Sequence, residues 1–155
     1  MSHATDIGAD RLPAMSRPRL DRLFRSSPPG EIPRGTGEGT VLLGLGPRTN
    51  AVAAGPARRL VRQGKVFAVD GRELRNPVTP FGIRAVRARV HRDASWPDGG
   101  ACIVLDHAHT ALVAHRIRDE VRSVGRAVCL GTVYGGRRQV LDFSLTFRAE
   151  RTWNS

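Results

Sequence analysis

Three residues carry the types and positions from which chemistry is expected: Lys65, Asp119 and Tyr134. Lys65 is the only lysine among 25 basic residues. Its segment, Gln63-Gly64-Lys65-Val66-Phe67-Ala68-Val69-Asp70, reads as a strand. Residues two apart on a strand share a face, so Lys65 is expected on the side of Phe67 and Val69. An ammonium aimed at a core needs a partner or a task. In Ile117-Arg118-Asp119-Glu120-Val121-Arg122 the same alternation sets Asp119 inward with Ile117 and Val121. Arg118, Glu120 and Arg122 are expected on the opposite face, as a charged row in water. Desolvation would raise an inward carboxyl's pKa, and a cation beside it would lower it again. Lys65 and Asp119 therefore suit an interior ion pair that fixes register, or a pair of groups that contacts a ligand. Tyr134 is the only tyrosine and ends a strand beside Gly135-Gly136. Its phenol suits a hydrogen bond to a ligand carbonyl, or simple packing at a rim.

Other candidates surround these three. Trp96, in the loop Asp93–Gly100, is expected as a lid or as an anchor for its loop. His107, His109 and His115 do not complete a metal set, because no cysteine or carboxylate spacing joins them. His107 suits a hydrogen-bonded or acid/base role at a corner. Phe67, Trp96, His107, Ile117, Val121 and Phe143 are the residues expected to line a ligand space. Gly44-Leu45-Gly46-Pro47 is neither a dinucleotide fingerprint nor a phosphate loop. No serine sits in a nucleophile elbow, and no motif implies a cofactor.

The elements that must hold these residues are mostly strands. Residues 1–18 are polar and aperiodic, and read as a disordered tail before a single domain over 19–155. Leu20, Leu23 and Phe24 fall on one face of a short helix, expected to plug one end of the fold. A loop is expected over 31–39 and a second helix over 50–62. Strands are expected at 40–45, 65–69, 73–75, 83–91, 101–106, 113–122, 127–134 and 140–147. In the last of these Leu141, Phe143, Leu145 and Phe147 alternate with polar residues. About eight strands joined mainly by tight turns imply an antiparallel meander, which closes most economically into a barrel. The expected fold class is mainly β, with one or two short helices near the N-terminus; a β-sandwich is the alternative.

Composition narrows the partners. The formal net charge is +11 over 155 residues. The arginines are scattered and lack a basic helix or aromatic platform, which argues against nucleic acid. The arginine bias fits coding in a GC-rich genome of the actinobacterial kind. Cys102 and Cys129 read as small core residues within strands. No apolar run reaches the roughly 18 residues of a membrane helix, so stable insertion is not expected and a cytoplasmic setting is.

Gln63–Phe67, Ile117–Arg122 and Leu130-Gly131-Thr132-Val133-Tyr134 together resemble small bacterial proteins with a lipocalin-like barrel, over about Leu20 to Phe147. Their shape is also similar to that of natural-product cyclase barrels. The resemblance implies a barrel that holds a hydrophobic small molecule such as a lipid or polyketide. A cofactor-independent cyclase or isomerase is the alternative function, with Asp119, Lys65 and Tyr134 as its polar groups. No metal or other cofactor is implied, and two copies could pair through an exposed strand.

Overall fold

The computed structural model describes residues 7–32, 35–42, 63–67, 73–76, 86–106 and 117–147. The protein is mainly β, with antiparallel strands and, among the described residues, one α-helix. Strands β1 (Gly35–Leu42), β2 (Gln63–Phe67), β3 (Glu73–Asn76), β4 (Val86–Ala94), β5 (Ala101–Asp106), β6 (Ile117–Gly125), β7 (Val128–Gly135) and β8 (Arg138–Phe147) follow the helix α1 (Arg17–Ser26). Six strands form one antiparallel sheet in the order β4-β5-β6-β7-β8-β1. The short β2 and β3 pair with each other, β2 with β1 and β3 with β4. No described helix is long and apolar enough to cross a membrane.

Both faces of this sheet carry buried residues, and they differ in chemistry. The first face is apolar: Val90, Ile103, Leu105, Val121, Cys129, Phe143 and Leu145 form one cluster. Its alternation along β8 matches the pattern expected from Leu141 to Phe147. The second face carries Leu42, Val124, Val128 and Leu130, which pack with Ile7, Leu12, Met15, Leu20 and Phe24. Burying side chains of the Leu20 and Phe24 type stabilises by about 1.5–3 kcal/mol each, which holds α1 on the sheet. The helix expected to plug one end instead lies on this second face. Pro18 sits in its first turn, where its missing N–H costs nothing.

Three expectations change. The disordered tail does not extend to residue 18: Ile7, Leu12 and Met15 are buried, and the Ile7 N–H donates to the Val124 carbonyl at 3.3 Å. The loop placed over 31–39 is in fact β1 from Gly35 onward. Glycines there read as loop, yet at Gly37 the small residue has a steric cause. A Cβ on Gly37 would stand 2.8 Å from the Phe147 ring, its cross-strand partner. Strand ends also shift: β4 runs on to Ala94 and β6 to Gly125. The second helix at 50–62 and the segment 113–116 lie outside the described residues.

Gly131 stands in the same relation to Phe143, whose ring would collide with any Cβ placed there. Gly131→Ala should therefore destabilise by about 1–3 kcal/mol in urea unfolding. Phe143→Leu in the same chain should recover part of that loss. A neutral Gly131→Ala would show that the two positions do not compete for space.

Candidate functional site

The second face of β6 holds the row Arg118, Glu120 and Arg122. Alternation placed these three together, as expected, but burial does not leave them in water. Glu120 is 0 % exposed and Arg122 2 %. The loop after β4 folds back across the sheet and covers them. Ser95 Oγ donates to Glu120 Oε2 at 2.7 Å, and the Trp96 N–H donates to Oε1 at 2.9 Å. Arg118 Nε donates to Oε1 at 3.1 Å, and its Nη2 lies 3.0 Å from the same oxygen. Glu120 thus fixes the loop at the point where Trp96 leaves it.

Arg122 ties the same loop to α1. Its guanidinium binds Asp98 through two hydrogen bonds, of 2.8 and 2.7 Å. It also donates to the Phe24 carbonyl at 2.8 Å, capping the helix end, and to the Ala101 carbonyl at 3.2 Å. Arg25 donates to the Pro97 carbonyl at 3.3 Å. A helix C-terminus favours a cation, and Arg122 supplies one. The Arg122 guanidinium, aided by the Gly100 N–H that donates to Asp98 Oδ1 at 2.9 Å, holds the Asp98 carboxyl down to about 2, from an ordinary 3.8.

The folded-back loop sets Trp96 against three other side chains. Its ring meets Tyr134 edge-on at 5.1 Å between centroids. The Arg118 guanidinium lies 4.6 Å from the Trp96 ring centre and that of Arg137 4.3 Å. Beside this cluster opens a cleft of about 520 Å³, lined by His91, Asp93, Asp106, Ile117 and Gly136 with Trp96 and both arginines. Burial first, then the Glu120 and Asp142 carboxylates, push the Tyr134 phenol up to about 12, so it keeps its proton. Asp142, on the same face, accepts from Thr132 Oγ1 at 2.8 Å and Gln139 Nε2 at 3.0 Å, and burial raises its pKa.

The expected site residues are divided between the faces. Trp96, Ile117 and Tyr134 come together at or beside the cleft. Asp119 is buried on the first face, cross-strand from Leu105 and Val133. Val121 and Phe143 are packed in that face's apolar cluster. Lys65 stands opposite Gly37 in the ladder, and Phe67 opposite Gly35. β2 pairs with β1 and β3, and β6 with β5 and β7, so Lys65 and Asp119 are not partners across a ladder. His107 lies outside the described residues, as do the side chains of Lys65 and Phe67. Among the described residues, no group of three or more metal-ligating side chains is gathered. Cys102 and Cys129 are buried thiols, and burial pushes each up to about 12.

Glu120, Asp98 and Arg137 were missed by sequence reading. Charges on alternate positions normally signal a wet face. One contrary signal was available: Cys102-Ile103-Val104-Leu105 is apolar on both faces, the mark of a strand covered on each side.

No family model matches the chain, and no curated protein matches it. Among solved structures, a crystal structure of a protein from Thermomonospora curvata is similar, with a TM-score of 0.54 at 20 % identity. The match covers 86 % of this chain and 88 % of that one. What the two chains share is the sheet-rich fold.

Glu120→Ala leaves the Arg118 guanidinium, the Ser95 hydroxyl and the Trp96 N–H without their acceptor. It should cost about 3–5 kcal/mol in urea unfolding, as for a broken buried ion pair. A loss below about 1 kcal/mol would mean that water replaces the carboxylate. Asp98 gives a pH signature. Its folded pKa is depressed, so its stabilisation is complete above the ordinary 3.8 and fades as pH falls toward about 2. The stability gap between native protein and Asp98→Asn should therefore shrink between about pH 6 and pH 2. A gap constant over that range would remove Asp98 from the acid limb.

Proposed function

We propose that this protein binds a small, largely apolar molecule, and that its ring of ladders is a lipocalin-like, eight-stranded barrel. The observation that carries the reading is the cleft beside Trp96. Its volume of about 520 Å³ lies in the range of small-molecule sites. Trp96 and Ile117 offer apolar surface, while the polar groups around them are held in place by the buried Glu120. Such a floor costs little to organise when a ligand arrives. The ladder order, which runs from β1 to β8 and returns to β1, supports the barrel. The shared fold with the Thermomonospora curvata protein is compatible with it.

A cofactor-independent cyclase or isomerase is the second reading. Tyr134 favours it: a phenol kept protonated beside the ligand space can donate a hydrogen bond to a developing oxyanion. Native mass spectrometry separates the two. A retained molecule recovered unchanged after incubation fits a carrier; one recovered altered fits a catalyst.

The binding reading itself is tested with the neutral fluorophore N-phenyl-1-naphthylamine. The native protein should bind it saturably. Ile117→Arg, which fills the cleft, should abolish binding while the melting temperature holds. No saturable binding by the native protein, or full binding by Ile117→Arg, would remove the cleft as the ligand site.

A further inference from the structure

Resting on the cleft as the ligand site, we propose that its ligand is an organic anion, an apolar body bearing a carboxylate or sulfonate, and that Arg137 receives the acid group. The distribution of charge around the cleft points to such a ligand. Arg118 is committed: it pairs with Glu120 and with Asp93, at 3.0 and 3.3 Å, and donates to the Ala94 carbonyl at 2.7 Å. Asp93 in turn accepts from Arg118 and from the Ala94 N–H, the latter at 2.7 Å. His91 lies 4.0 Å from the same carboxylate. Asp106 stands opposite Arg89 and Arg118 in the ladders. The carboxylates of the cleft therefore already face cations.

Arg137 differs. It is exposed, in the turn between β7 and β8, and among the described residues it pairs with no carboxylate. Its guanidinium rests on the Trp96 ring at 4.3 Å. A guanidinium held over an indole still has N–H donors to offer, and a carboxylate or sulfonate can take two of them. The indole orients the cation, so little order is lost when the anion binds. The same indole and Ile117 supply the apolar wall. An acid group on Arg137 thus leaves the body of the ligand against the cleft's hydrophobic side.

The test uses two probes with one arylamine body. 8-Anilinonaphthalene-1-sulfonate carries a sulfonate; N-phenyl-1-naphthylamine is its neutral counterpart. The native protein should bind the sulfonate about tenfold or more tightly than the neutral probe, the factor expected of a charge-assisted contact. Arg137→Gln should erase that preference without weakening the neutral probe. Arg19→Gln, on the exposed side of α1, should leave the preference intact. Equal binding of both probes by the native protein would overturn the inference. So would an unchanged preference in Arg137→Gln, or an equal loss in Arg19→Gln, which would assign the effect to overall charge. In each of these cases the cleft would still bind an apolar molecule. Failure of both probes to bind would instead remove the ligand site on which the inference rests.

Discussion

A largely buried row of charge, Arg118-Glu120-Arg122, joins the sheet, the loop after β4 and the end of α1. Isolated charges are costly to bury, and these three are tolerated because each is matched by partners of fixed geometry. Glu120 accepts from a hydroxyl, a backbone amide and a guanidinium. Arg122 meets a carboxylate and the open carbonyl end of α1. Removing one partner exposes the remaining group to a low-dielectric site without compensation. The loop, the helix and the sheet are consequently held as one unit, although the helix alone is too short to be stable in water.

This arrangement explains the difference between the two faces. Asp119 apart, the first face is apolar, with glycines at positions 37 and 131 making room for the rings of Phe147 and Phe143. The second face is partly polar, because it must attach a helix and a loop in specified positions. Apolar contact is nondirectional and would hold α1 without fixing where Trp96 falls. Hydrogen bonds to Glu120 and Arg122 supply that direction. Trp96 then stands against Tyr134 and two arginines, beside the cleft. The stability of the fold and the shape of the cleft thus depend on the same side chains.

Strand alternation was legible because the period of two is imposed by the backbone itself. It placed Phe143 with Leu141, Leu145 and Phe147, and Asp119 opposite Glu120. It failed where the meaning of a face depended on a distant segment. Asp142 and Ser144 look like a wet edge in the chain, but they are buried. Glycines near residue 37 look like a loop until the aromatic ring across the ladder is known. The candidate site shows the same division. Trp96 and Tyr134 could be singled out by residue type, but nothing in their separation of 38 positions brings them within 5.1 Å. Arg137 carries no local signal, since arginine is the commonest charge in the chain.

The sequence by itself determined the class of structure, the faces of the strands and the short amphipathic helix, because these follow from local sterics and periodicity. Only the tertiary structure decided which charges are buried and which expected site residues meet. Those outcomes are set by α1 and the 95–100 loop as they fold onto the sheet, and burial by a remote segment leaves no period in the chain.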